Sequence, residues 1–265
     1  MGEEPDLEDK DFTLFMENVK SLTAIDLSQY KEAQMKRRLT TFRMKKGFPT
    51  FRELYVAMSS DKGLLNEFLD RMTINVSEFF RNPNRWDALQ HKFLPEMLKQ
   101  GRRLKCWSAA CSTGEEPYTL AMILSEHNAL ASTSLLATDL DEGVLAKARE
   151  GFFSERSVRE VPAPLLDKYF VKENGGYRLI RDRFRTVEFR RHNLLEDRFE
   201  PDFDLIICRN VMIYFTEEAK QLLYRKFSDA LRPGGILFVG STEQIFSPGK
   251  FGLEPADTFF YRKKL

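Results

Sequence analysis

The feature that most limits the fold of this chain is a rhythm of short apolar strands and helices that begins after Gly101. Residues 103–109 read as a buried strand, and a loop of small residues, Cys111-Ser-Thr-Gly114, separates it from a helix over 115–128. A second strand over 133–138 ends in Asp139-Leu-Asp141 and leads into a helix over 142–150. The strand 203–208, the helix 217–231 and the strand 236–240, which follows the turn Pro233-Gly-Gly235, repeat the order. Strands that alternate with helices pair in parallel through right-handed crossovers. The expected fold is therefore α/β, a doubly wound, mostly parallel sheet. Between 165 and 190 the rhythm breaks. There, 169–172 and 177–180 flank the turn Asn174-Gly-Gly176 and read as a β-hairpin inserted at about 165–185. Residues 186–189 resume a core strand.

The first 75 residues have another texture. Apolar residues recur at helical spacing from Asp11 to Asp70, with Met35, Leu39 and Phe42 on one stripe. Gly47 and Pro49 close that helix, and another is expected over 64–72. A small all-helical domain over 1–75, a connector over 76–89 and a sheet domain over 90–265 follow from this division. Charge is unevenly spread between them. The 41 Lys+Arg and 40 Asp+Glu give a formal net charge of +1, yet residues 1–30 hold eight acids and two bases, and residues 31–52 eight bases and one acid. A solvated face is the ordinary reading of such a helix. The density of bases over 31–46 favours instead a face for an acidic partner, with Lys36, Arg38 and Arg43 as its residues.

Other classes drop out. An apolar fraction of 42% with 12% aromatics excludes low-complexity disorder. No stretch approaches the roughly 18 uninterrupted apolar residues of a membrane span, so no membrane insertion is expected, and the acidic start is unlike a signal peptide. The three cysteines, Cys106, Cys111 and Cys208, form no C-x-x-C pair. They fit a reduced, cytoplasmic setting, with neither a disulfide framework nor a metal site.

The first strand–loop–helix carries most of the chemistry. Ala109, Ala110, Ser112 and Gly114 let a ligand approach backbone N–H groups at a helix N-terminus. Asp139, ending the second strand, suits a carboxylate that accepts both hydroxyls of a ribose, although strand-end acids also serve as helix caps. No G-x-G-x-x-G is present, and Glu115 and Glu116 at the cradle would repel phosphate. A cationic nucleoside is the natural inversion, and S-adenosylmethionine carries both a sulfonium and an ammonium.

The segment Ser108-Ala-Ala-Cys-Ser-Thr-Gly-Glu-Glu-Pro-Tyr118, together with Cys208-Arg-Asn-Val-Met-Ile-Tyr-Phe215, closely resembles the CheR family of chemotaxis-receptor methyltransferases. Thr73-Ile-Asn-Val-Ser-Glu-Phe-Phe-Arg81 and Val187-Glu-Phe-Arg-Arg-His-Asn-Leu194 extend the resemblance along essentially the whole chain. It implies a Rossmann-like S-adenosylmethionine-dependent methyltransferase that esterifies receptor glutamates and releases S-adenosylhomocysteine. By the same resemblance Asn75, Ser77 and Arg81 would reach the cofactor from the connector. Glu116 would bind its methionine end, Asp139 its ribose, and Asn193 and Leu194 would frame its adenine. Arg209 and Asn210 would lie beside the transferring methyl, and Arg81 and Tyr214 would hold the substrate carboxylate. Cys111 replaces a more usual small residue, with a consequence expected for packing alone. The partners implied are the acidic cytoplasmic helices of receptors, with no nucleic acid, and the chain is expected to act as a monomer.

A glutamate side chain, with a reference pKa of about 4.3, is already ionised at neutral pH and needs no general base. His91, His127 and His192 are scattered and supply none. Two other functions compete with this one. A nucleic-acid methyltransferase would place the basic helix on phosphates. Asn210-Val-Met-Ile-Tyr214, however, lacks the prolines of the amine-methylating Asn-Pro-Pro-Tyr loop. A cofactor-sensing adaptor would bind S-adenosylmethionine without turnover. Bland uses also exist for single residues: Arg81 as a surface pair, Tyr214 as a core aromatic with a wet hydroxyl, and Asn210 as a turn cap.

Overall fold

The computed structural model describes residues 7–72 and 77–265. The chain divides into two compact units, one of residues 1–74 with 214–221 and the other of residues 75–213 with 222–265. Among the described residues no helix is long and apolar enough to cross a membrane.

The first unit is helical, with α1 (Leu7–Thr23), α2 (Glu32–Lys45), α3 (Phe51–Ser60) and α4 (Lys62–Met72). The stripe Met35, Leu39 and Phe42 is buried, as its spacing requires. It meets an aromatic core in which the Phe15 ring lies 5.0 Å from Phe51 and 5.8 Å from Phe68. Local signals set the helix starts. The Thr50 hydroxyl caps α3 by accepting from Glu53 N, and the Asp11 carboxylate accepts from Phe51 N at 2.7 Å. Asp61 does the same for α4, accepting from Gly63 N and Leu64 N. Residues 214–216 are stitched to this unit: Lys31 N donates to Tyr214 O, Thr216 N donates to Gln29 O, and Tyr30 packs on Phe215.

The basic face of α2 differs from the sequence expectation. Arg43 is buried and donates to the carbonyls of Phe48 and Pro49, and its guanidinium lies 5.0 Å from the Phe51 ring centre. Its position next to Phe42 puts the long stem against the core, and a planar guanidinium satisfies carbonyls that the turn at 47–49 leaves open. Arg38 is half-buried and donates to the carbonyls of Arg71 and Met72, tying α2 to the end of α4. Lys36 pairs with Asp9. Arg37 and Lys45 are the exposed bases within α2.

The second unit begins with α5 (Pro83–Ala88) and α6 (Leu94–Leu98), joined through a π-helical turn at Leu89–Phe93. Pro95 has no N–H for the regular helical ladder, which suits a widened turn just before it. Then come β1 (Leu104–Ala109), α7 (Glu115–Glu126), β2 (Thr133–Asp139), α8 (Glu142–Glu150), β3 (Phe152–Phe153), α9 (Ala163–Tyr169), β4 (Phe170–Glu173), β5 (Gly176–Leu179), β6 (Val187–Arg191) and β7 (Phe203–Cys208). The chain closes with α10 (Glu217–Ala230), which belongs to this unit from Leu222 onward, β8 (Leu231–Val239), β9 (Leu253–Asp257) and β10 (Phe260–Lys263). Seven strands form one sheet in the order β6-β2-β1-β7-β8-β10-β9. The first five run parallel and β10 is antiparallel to both its neighbours. From β1 the chain winds to one side through β2 and β6, then to the other through β7 and β8. The carboxyl ends of β1 and β7 therefore flank the switch point where open α/β sheets bind ligands.

Three elements depart from the sequence reading. The inserted hairpin is a three-stranded sheet, β3-β5-β4, because Phe152 and Phe153 pair with Arg178 and Tyr177. The turn at Pro233-Gly-Gly235 lies inside β8, where the register against β7 shifts, so that strand starts at Leu231. The pair β9–β10 was outside the expected elements. Pro255 breaks the strand pattern there, and β9 tolerates it because it is an edge strand.

Candidate functional site

The site is built on the loop between β1 and α7. Three of its five residues take the left-handed conformation: Ala110 (φ 58°), Ser112 (φ 50°) and Gly114 (φ 96°). Gly114 has a second reason to lack a side chain, because a Cβ there would lie 2.9 Å from the Cβ of Ala148 on α8. The loop is pinned by Cys111 N donating to Thr138 O and by Ser112 N donating to Asp139 Oδ2, both at 2.8 Å. Pro117 sits in the first turn of α7, where a missing N–H costs nothing.

The two adjacent acids of α7 do different work. Glu115 is buried beneath the loop, accepting from the Thr113 hydroxyl at 2.7 Å and from the side chains of Ser77 and Ser157. Glu116 turns toward the switch point. It accepts from the Ser108 hydroxyl at 2.8 Å and lies 3.9 Å from Arg209 Nη1. Burial pushes its carboxyl up to about 7, with Arg209 and Arg81 opposing that rise. Asp139 ends β2, where burial raises its carboxyl to about 6, against the pull of the Asp141 and Ser112 amides. Each of its oxygens accepts one backbone N–H, from Asp141 and from Ser112.

Arg209 follows β7 and is itself buried. Its Nη2 donates to Arg81 O and to Asn82 Oδ1, both at 2.8 Å, and its guanidinium lies over Trp86 and Phe238. Burial lowers its pKa and Glu116 raises it. The connector is held against α7 by Phe80 N donating to the Thr119 hydroxyl, and against the segment between β3 and α9 by Phe79 N donating to Ser157 O.

The structure thus brings Arg81, Glu116, Asp139, Arg209 and Asn210 to one end of the sheet, with Ser77 behind the loop. Asn193 and Leu194 lie just past β6, directly after His192, whose N–H donates to Asp139 O at 2.8 Å. The Asn193 side chain accepts from Leu195 N, and Lys226 Nζ donates to the carbonyls of Leu194, Leu195 and Asp197. Asn75 lies outside the described residues. Tyr214, Lys36, Arg38 and Arg43 belong to the helical unit, where burial lowers the pKa of Arg38. Sequence reasoning missed Glu243, buried beside Asn210, and the Lys226 clamp. Both act through backbone atoms of distant segments, which leave no motif.

S-adenosylmethionine fits this donor set. Burial opposes the charge of Glu116 and of Asp139, so a cationic ligand would be favoured beside them. Among the described residues, the Ser112 hydroxyl and Arg209 Nε are buried polar atoms without a partner at this end of the sheet. Fold and site define the class: a methyltransferase that uses S-adenosylmethionine. Residues 75–260 match the family described as "CheR methyltransferase, SAM binding domain" and residues 10–73 "CheR methyltransferase, all-alpha domain". The chain belongs to the CheR methyltransferase family. A chemotaxis protein methyltransferase of Listeria monocytogenes is 46% identical over 98% of this chain and 99% of its own. One from Borreliella burgdorferi is 35% identical over 83% of each chain, and chemotaxis protein methyltransferase 1 of Pseudomonas aeruginosa is 33% identical over 89% and 90%.

Proposed function

We propose that this enzyme transfers methyl to the γ-carboxylate of glutamates on acidic cytoplasmic helices of chemotaxis receptors, acting in the cytoplasm as a monomer and serving sensory adaptation. The observation that carries the reading is a site with two guanidinium groups, Arg81 and Arg209, facing Glu116, and no imidazole among its described groups. His192 is turned aside, packed on Trp107 and hydrogen-bonded to Arg198 O. Such a site suits a nucleophile that arrives already ionised, and a carboxylate does so.

S-adenosylmethionine supplies an electrophilic methyl when bound. Glu116 takes its ammonium end, Asp139 its ribose hydroxyls, and Asn193 and Leu194 its adenine side. Asn75, Ser77, Arg209 and Asn210 complete the cofactor contacts. Arg81 holds the substrate carboxylate through a charge-assisted hydrogen bond, and Tyr214 donates to its other oxygen. Too strong a grip on the attacking oxygen would blunt it, so their part is orientation, which supplies most of the rate enhancement. Residues 1–75 face the receptor, 76–89 complete the cofactor site, and 90–265 carry the catalytic sheet. Contrary to the sequence expectation, Arg43 takes no part in docking because it is buried. Lys36 and Arg38 stay, joined by the exposed Arg37 and Lys45.

The test incubates the enzyme with methyl-labelled S-adenosylmethionine and receptor cytoplasmic fragments. Label on the receptor that mild alkali releases supports the reading. Alkali-stable label, label on nucleic acid alone, or saturable cofactor binding without transfer refutes it.

A further inference from the structure

Glu243 has no part in the mechanism above. It lies four residues beyond the end of β8 and is 4% exposed. Oε2 accepts from Asn210 N at 2.6 Å and from Gly240 N at 2.8 Å, and Oε1 accepts from Ile213 N at 3.3 Å. The Met212 amide donates to the same carboxylate. Four main-chain donors therefore converge on one side chain, and three come from the short stretch that follows Arg209. Within that stretch Asn210 has a φ of 60°, a left-handed conformation that asparagine tolerates better than most side chains and that the amides bound to Glu243 help hold. Gly240 leaves the room: a Cβ there would collide with Glu243 Oε2 and come within 2.8 Å of Asn210 N.

A turn by itself does not need a buried carboxylate. A neutral acceptor caps N–H groups without the desolvation that burial imposes on a charge. The cost here is compounded, since Glu243 and Glu116 repel each other. Arg209 is the group that feels both, and each carboxylate favours its charged form.

We propose that Glu243 is a positioning residue for methyl transfer, holding residues 210–213 by their amides in the conformation that presents Arg209 and Asn210 to the reacting groups. The proposal rests on the reading that Arg209 and Asn210 border the transferred methyl. With its carboxylate engaged by main-chain amides, Glu243 acts through the loop.

Wild type, Glu243→Gln, Gly240→Ala and Asn210→Ala are compared by S-adenosylhomocysteine calorimetry, steady-state kinetics and amide hydrogen exchange. Glutamine keeps one acceptor but turns an NH₂ group on N–H donors, and Gly240→Ala pushes the native carboxylate away from Asn210. Both are expected to lower kcat at least about tenfold, with a smaller change in KM for S-adenosylmethionine. The amides of 210–213 should exchange faster while those of β1 and β7 stay protected. Wild-type kcat in Glu243→Gln with those amides deprotected overturns the proposal. So does a loss of protection across the whole sheet in both variants, which would make Glu243 merely structural. Full turnover and full affinity in Asn210→Ala would instead remove the underlying reading of the loop. An impaired Asn210→Ala beside an unimpaired Glu243→Gln removes Glu243 alone.

Discussion

Cofactor affinity should depend on pH through Glu116. In the ligand-free protein burial raises this carboxyl to about 7. Such a group is about 9% ionised at pH 6 and about 76% ionised at pH 7.5. If only the ionised form receives the ammonium end of the cofactor, apparent affinity scales with that fraction. It should therefore strengthen about eightfold between pH 6 and pH 7.5. Asp139, raised to about 6, adds at most about a further twofold over the same span. The sign for stability is the reverse. The folded pKa of Glu116 lies above its unfolded value, so the unfolded chain ionises first. Rising pH between the ordinary carboxylate range and about 7 then destabilises the ligand-free protein. Bound cofactor should remove that loss. The assay is isothermal calorimetry of S-adenosylmethionine and S-adenosylhomocysteine in buffers of differing ionisation enthalpy, which reads affinity and proton release together. Both ligands keep the ammonium, so both should show the slope and release a proton near pH 6.5. Glu116→Gln should bind more weakly, with a pH dependence no larger than about twofold. A flat wild-type profile, or a Gln variant that keeps the full slope, would refute the placement of the ammonium at Glu116.

Four further outcomes are expected. Arg43→Ala should destabilise the protein by about 1–3 kcal/mol in denaturant melts, because it strips hydrogen bonds from the carbonyls at 48–49. Arg37→Glu, on the exposed side of the same helix, should stay within about 0.5 kcal/mol of wild type while slowing receptor methylation most at low salt. Arg81→Ala should keep the circular dichroism of the wild type and lose at least about tenfold in turnover; normal turnover would remove it from the catalytic set. Gly114→Ala should weaken S-adenosylhomocysteine binding, since its φ of 96° and the nearby Ala148 methyl leave a side chain no unstrained place; unchanged calorimetric affinity would count against the role of this loop.

Much of the fold was legible because the sheet is buried and its strands are apolar runs. The bounds of β7 and of α8 fall where the sequence puts them, and α8 carries its own signals, Asp141 as the N-cap and Gly151 at the C-terminal end. The strand end that carries Asp139 was legible for the same reason. What escaped was non-local or too short. Two residues, Phe152 and Phe153, show no alternation that would mark a strand. The inward turn of Arg43 depends on Phe51 and on carbonyls beyond the helix, which helical spacing does not report. Glu243 gathers amides some thirty residues upstream, and only the pairing of β7 with β8 brings those ends together.

The acceptor proposed for this enzyme is a glutamate carboxylate. Its most direct test is peptide mass mapping of a receptor fragment after turnover, with and without mild alkali. Expected are single-methyl mass additions confined to glutamate side chains, all removed by alkali. Methyl groups on any other side chain, or additions that survive alkali, would contradict it.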